Sequence, residues 1–184
     1  MTNPSGSDTE PATFSSSQCF SAVEPERALI LILGSFPGVA SLAAGQYYAH
    51  PRNSFWPIMA ELLGFAADLD YGQRVAHLVN NRVALWDVLA RCQRAGSLDA
   101  AIEPASITVN DVSLFFARQR GLKAVFFNGE RAEREFRRRV LPQLADLSAG
   151  VVLRRLPSTS PAHAAVRYAD KVAAWRVIVD YLDR

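Results

Sequence analysis

Leu31 to Trp56 reads LILGSFPGVASLAAGQYYAHPRNSFW. With Ala28 to Ile30, its first residues complete the apolar run ALILIL, the pattern of a strand covered on both faces of a parallel sheet. The run stops at Gly34, and Gly34 and Gly38 bracket Pro37. Glycine permits close backbone approach and proline fixes one turn angle, so the loop can present N–H groups to an anion or a carbonyl oxygen. By itself GSFPG reads as a tight strand-to-helix turn. The continuation sets it apart. Gln46, Tyr47, Tyr48, His50, Asn53, Phe55 and Trp56 supply amides, phenols and rings without a carboxylate among them. Such a set suits a flat, uncharged, hydrogen-bonding ring: aromatic faces stack on it and amides read its edge.

Outward from this stretch, short apolar runs alternate with amphipathic ones. Helices are expected from Ser54 to Leu63 with Gly64 as the cap, and from Tyr71 to Asn80. Arg82 to Trp86 (RVALW) and Ala124 to Phe127 (AVFF) read as strands, and Val151 to Leu153 as a fourth. Between them lie an amphipathic helix from Ile107 to Gln119 and a helix from Glu130 to Arg139 that Pro142 should interrupt. A last helix, Asp170 to Leu182, puts Val172, Trp175, Val179 and Leu182 on one face. Strands alternating with helices predict an open parallel sheet covered on both faces, with ligands held beyond the carboxyl ends of the strands. The chemistry is therefore expected in Gly34 to Phe55, from Asp87 onward, at Asn128-Gly129, and in Leu156 to His163.

Composition bounds the rest. A chain of 184 residues fits one domain, here 21–184, after a tail at 1–20 rich in Ser, Thr, Pro and Gly. A net charge of +2 requires any nucleic-acid surface to be local. No apolar run reaches the ~20 residues of a membrane span, and no secretory signal is visible. Cys19 and Cys92 form neither a disulfide framework nor a metal spacing and read as free thiols in a reducing cytoplasm. A nucleotide or phosphoester hydrolase using the Gly-rich loop is disfavoured: there is no Walker lysine, no clustered carboxylates and no His/Cys ligand spacing.

GSFPG followed by QYYAHPRNSFW, with LPSTSP (Leu156 to Pro161) near the C-terminus, resembles the paired motifs of the uracil-DNA glycosylase superfamily. The form with Ser35 and Phe36 in the first loop is similar to the hypoxanthine-DNA glycosylase family. The resemblance implies a three-layer α/β/α fold around a four-stranded parallel sheet. It also implies a metal-free and cofactor-free enzyme that flips a deaminated nucleotide out of double- or single-stranded DNA and hydrolyses its N-glycosidic bond, with hypoxanthine as the expected base and a broader glycosylase removing uracil or xanthine as the alternative. A monomer suffices for that task. A protein that binds damaged DNA without cleaving it is the reading outside enzymology, because Phe36 and Leu156 are apolar where relatives carry polar groups.

The same resemblance distributes roles. Asn53 is the expected catalytic amide, although an Asn before a helix is also an ordinary cap. Ser35 and Phe36 would offer backbone N–H groups to the base, since the Phe36 side chain can activate no water. Gly34, Tyr48 and His50 would line the base site and Phe55 would stack on the base, with Trp56 in the core. Asp87 would accept the ring N–H of hypoxanthine, a role that competes with that of a helix cap or salt bridge. Ser158, Thr159, Ser160 and His163 would meet DNA, with Arg154 and Arg155 as basic contacts and Arg167 and Lys171 extending the rim. The arginines of Arg131 to Arg139 alternate with Glu130, Glu133 and Glu135 and read as an ion-paired solvated face.

Overall fold

The structure, a computed structural model, describes residues 15–94, 98, 102–144 and 149–182. Its central sheet has four parallel strands in the order β3-β2-β6-β7. They are β2 (Ile30–Gly34), β3 (Val83–Asp87), β6 (Ala124–Asn128) and β7 (Val152–Leu156). The strand period of two sorts the core. Leu31 and Leu33 face one cluster with Val125 and Phe127, whereas Ile30 and Ile32 face the other with Phe126. The first cluster is covered by α4 (Val112–Arg118) and α5 (Glu130–Glu135), through Phe115, Phe116 and Ala132. The second is covered by α2 (Phe55–Leu63), α3 (Tyr71–Asn80) and α7 (Tyr168–Trp175), through Trp56, Met59, Leu78 and Trp175. The expected three-layer α/β/α architecture is therefore the observed one.

The chain leaves β2 towards β3 on one side and later adds β6 on the other. The segments that follow β2 and β6 thus diverge, which opens a crevice at their carboxyl ends. One of its walls is α1 (Val39–Ala44), which runs directly from the GSFPG loop.

Several local expectations are corrected. Ser15–Gln18 is not tail: it forms β1, antiparallel to β4 (Leu89–Arg94), while residues 1–14 lie outside the described residues. β5 (Thr108–Val109) completes this second sheet, so the expected helix from Ile107 begins only at Val112, where the Asp111 carboxylate accepts the Leu114 N–H at 2.9 Å. Pro142 does not stop its helix either. A π-turn at Phe136–Val140 bonds the Leu141 N–H to the Phe136 carbonyl, and α6 (Leu141–Leu144) continues through the proline. The last helix starts earlier than expected, at Tyr168, and tightens into a 3₁₀ turn at Arg176–Tyr181.

Candidate active site

Gly34, Asp87, Asn128 and Leu156 end the four parallel strands, and all four line one cavity of about 750 Å³. That volume suits a small-molecule or base pocket, for which about 300–1,000 Å³ is usual. Asp87 lies beside Gly34 in the β2–β3 register and is 3% exposed. A Cβ on Gly34 would collide with Asp87 Oδ1 and come within 3.0 Å of the Tyr48 hydroxyl. Glycine is required here because a carboxylate and a phenol close directly over its α-carbon.

Tyr48 is held in the left-handed region, at φ 55°, a conformation that strains a bulky side chain. Its ring stacks on Phe55, with centroids 4.1 Å apart and planes at 27°. Phe55 itself was expected to meet the base. It is instead fully buried, edge-on to Trp56 and Trp175, and is not part of the cavity wall. The ring at the cavity is Tyr48, backed by Phe55. An aromatic at the start of an amphipathic helix is drawn into the core. Tyr48, on an irregular segment, reaches the cavity wall instead.

Asn53 precedes Ser54, the N-cap of α2; its Oδ1 accepts the Phe55 N–H at 3.0 Å and so ties the first turn of the helix, and the residue also lines the cavity. With Oδ1 engaged, Nδ2 has no partner among the described residues. The Asn53 N–H in turn donates to the His50 carbonyl at 2.8 Å. The Nδ1 of His50 accepts the Arg52 N–H at 3.1 Å, which leaves Nε2 as the ring's donor towards the cavity. Tyr47 supports this arm from behind. Burial first, and the Asp87 charge second, push its phenol pKa far above the usual tyrosine value, so it stays a neutral donor, to the Ser21 carbonyl at 3.3 Å. Ser35 and Phe36 both line the cavity. The Phe36 side chain belongs to the core, and its N–H has no acceptor among the described residues.

The opposite wall is the LPSTSP loop, bolted down from three sides. Asn128 Nδ2 donates to Thr159 Oγ1 at 2.8 Å, and the Thr159 N–H donates to Asn128 Oδ1 at 2.9 Å. The Ser54 N–H and hydroxyl both donate to the Thr159 carbonyl, at 3.1 and 3.2 Å. Trp175 Nε1 donates to the Pro157 carbonyl at 2.9 Å. Thr159 is thus 1% exposed, with its side chain committed to Asn128, and does not offer DNA the hydroxyl expected of it. Asn128 carried only the signature of a turn in the sequence; its place as the clamp of this loop was not legible there. Gly129, at φ 97°, makes room for the loop, since a Cβ there would stand 2.9 Å from Ser158 Cβ.

A match to the family model described as the uracil DNA glycosylase superfamily spans residues 20–182. The chain belongs to that superfamily. It is 37% identical over 116 residues to a hypoxanthine DNA glycosylase of Methanosarcina barkeri, a match covering 62% of this chain and 72% of the relative. A hypoxanthine DNA glycosylase of Methanosarcina acetivorans is 38% identical over 114 residues, 61% and 71% of the two chains. The solution NMR structure of a candidate uracil DNA glycosylase from Methanosarcina acetivorans superposes with a TM-score of 0.76 at 31% identity, covering 92% of this chain and all of the other. The protein is a DNA glycosylase and its substrate is DNA.

The basic rim of the glycosylase is narrower than the sequence implied. Arg155 reaches the cavity edge, half exposed and 3.5 Å from Glu133, whereas Arg154 alternates to the other face of β7 and is not in the wall. Arg167 is engaged by Asp170 at 2.8 and 3.0 Å. Lys171 is 5% exposed on α7, outside the cavity wall, and burial lowers its pKa, so it does not extend the rim. The arginines of α5 and the π-turn after it pair with glutamates but are not wholly solvated: buried Glu135 receives Arg131 at 2.9 Å and Arg139 at 2.8 Å. Ser158, Ser160 and exposed His163 all line the cavity mouth. Among the described residues no three His, Cys, Asp or Glu side chains gather as metal ligands would, and no helix is long and apolar enough to cross a membrane.

Proposed function

We propose that this glycosylase removes hypoxanthine from DNA, with the flipped purine seated over Gly34. The observation that carries the reading is the Asp87 carboxylate at the cavity floor. A carboxylate accepts the ring N–H that hypoxanthine carries next to its carbonyl, and it repels the ring acceptor that adenine presents at the same place. Two similar proteins named as hypoxanthine DNA glycosylases support the same substrate. Tyr48 stacks on the base. The Asn53 Nδ2 and the Phe36 N–H donate to it as the glycosidic bond breaks and the bonding pair passes into the ring. Water then attacks the cationic sugar carbon, so no protein nucleophile is needed. Ser158, Ser160, His163 and Arg155 hold the flanking backbone.

Uracil also offers a ring N–H between carbonyls, and the superfamily membership favours it as a second substrate. A duplex panel bearing one hypoxanthine, uracil, xanthine or adenine, incubated in EDTA and then treated with alkali, ranks the bases. Cutting mainly at hypoxanthine supports the proposal, and cutting mainly at uracil overturns it. Asp87→Ala is expected to lower the hypoxanthine-to-adenine rate ratio by about ten-fold, the scale of one ring hydrogen bond to a charged group. An unchanged ratio removes Asp87 from base reading.

A further inference from the structure

Arg94 ends β4 at an inward position where a strand ordinarily places an apolar side chain, and it is 7% exposed. Its guanidinium carbon lies 5.3 Å from the centroid of the Phe36 ring, and its Nη2 donates to the Pro37 carbonyl at 2.6 Å. Among the described residues no carboxylate pairs with it, and its buried Nε and Nη1 have no acceptor. A buried cation without a counter-ion destabilises a fold, so its position calls for a reason. That position is directly behind the GSFPG loop, with both of its contacts in the cavity wall.

The loop's carbonyls supply the reason. The Gly34 carbonyl accepts the Val88 N–H at 2.9 Å, and that of Ser35 accepts the Leu89 N–H at 3.1 Å. The Gly38 carbonyl accepts the Leu42 N–H at 2.9 Å within α1. The Pro37 carbonyl is the one for which Arg94, a side chain, provides the donor. Four of the five loop carbonyls, all but that of Phe36, are thereby engaged by protein donors, so their negative ends are spent on the protein. A positive charge also stands behind the wall, and a base departing with its bonding pair is favoured by both.

We infer that Arg94 is a positioning residue of the reaction: it orients the GSFPG loop through Pro37 and Phe36 and biases the cavity towards an anionic leaving base. This inference rests on the glycosylase reading of the cavity. Its test uses Arg94→Met and Arg94→Lys, with Arg91→Met, an exposed arginine on the same strand, as control. Each full-length variant is measured for kcat and KM on hypoxanthine duplex, for Tm, and for hydrogen exchange at the amides of residues 35–39.

Arg94→Met is expected to lose on the order of ten- to a hundred-fold in kcat with KM changed less than about three-fold. Its Tm should hold or rise, because a buried charge with no carboxylate partner among the described residues is gone. The loop amides should exchange faster. Arg94→Lys, with the charge but not the fork, should fall between, and the control should match the parent. Wild-type kcat in Arg94→Met overturns the inference. So does a joint fall of kcat and Tm with faster exchange throughout β1, β4 and β5, which marks a structural role only. If Arg94→Met does not fold, Arg94→Lys decides alone, and wild-type kcat there is fatal. If the parent protein cuts none of the bases, the glycosylase reading of the cavity fails instead. The loop amides then still judge Arg94, unaltered exchange refuting it and faster exchange upholding its hold on the loop.

Discussion

Asn53 and Thr159 both tie down the amino terminus of α2, one accepting the Phe55 N–H and the other the Ser54 N–H. They differ in what remains. Asn53 spends one oxygen and keeps its Nδ2 donors for the cavity, while Thr159 spends its carbonyl, N–H and hydroxyl on the protein. The contrast extends to the two loops that hold them. Along the first, Tyr48, His50 and Asn53 bring ring and donor groups to the cavity wall that Asp87 also lines. Along the second, Leu156 is buried, and the Ser158 and Ser160 hydroxyls accept N–H groups of their own turn at 3.2 and 3.3 Å. On the proposed reading chemistry concentrates on one loop, while the other fixes geometry and would meet the phosphates.

The sharpest way to break this contrast is Asn53. Asn53→Ala should lower the single-turnover excision rate by on the order of 10²–10³-fold, the scale of one lost transition-state donor. DNA affinity should stay within a few-fold, and Tm should drop slightly, because loss of a cap costs about 1 kcal/mol. Asn53→Asp keeps the acceptor for Phe55 and discards the donors. It should therefore restore Tm without restoring the rate. If Asn53→Asp cleaves like the parent, Asn53 is a cap and nothing more.

Asn128→Ala probes the other loop. It leaves Thr159 without either side-chain bond, which should destabilise the protein by about 2 kcal/mol through newly unsatisfied buried groups. For a chain of this size that lowers Tm by about 4–8 °C. The excision rate should fall less than ten-fold, roughly, with KM rising as the loop loosens. A collapse of kcat at unchanged Tm would mean that the second loop carries chemistry too.

Much of this arrangement could be seen in the letters. The strands with unbroken apolar runs, ALILIL and AVFF, were legible because burial on both faces leaves no alternation to confuse. The helix Tyr71–Asn80 was legible through its apolar spacing. The β1–β4–β5 sheet was not: Ser15–Gln18 is all polar, and LARCQR hides its inward Arg94 behind a charge that reads as solvent-facing. Residue type and place after a strand pointed to Asn53, Tyr48 and Asp87, and all three line the cavity. Phe55 was misplaced because an aromatic in a motif looks the same whether it meets a ligand or supports the residue that does. Thr159 and Asn128 were misread because their reciprocal hydrogen bonds join positions 31 apart in the chain.

Arg154 and Arg155 give the smallest expected effect and the finest test of the second loop's role. They are neighbours on β7 with the same charge, and strand alternation sends them to opposite faces. Only Arg155 stands in the cavity wall, half exposed, with Glu133 3.5 Å away. If it meets a phosphate, Arg155→Ala should weaken DNA binding for every base and reduce the slope of log affinity against log salt by at most about 1. Glu133 already offsets part of that charge, so the loss should be only a few-fold, and excision of bound substrate should be unchanged. Arg154→Ala removes the same charge from a face that does not meet the cavity, and its salt slope should match the parent. Equal shifts in the two variants would mean that net charge rather than placement governs binding, and the second loop would then have no distinct part in holding DNA.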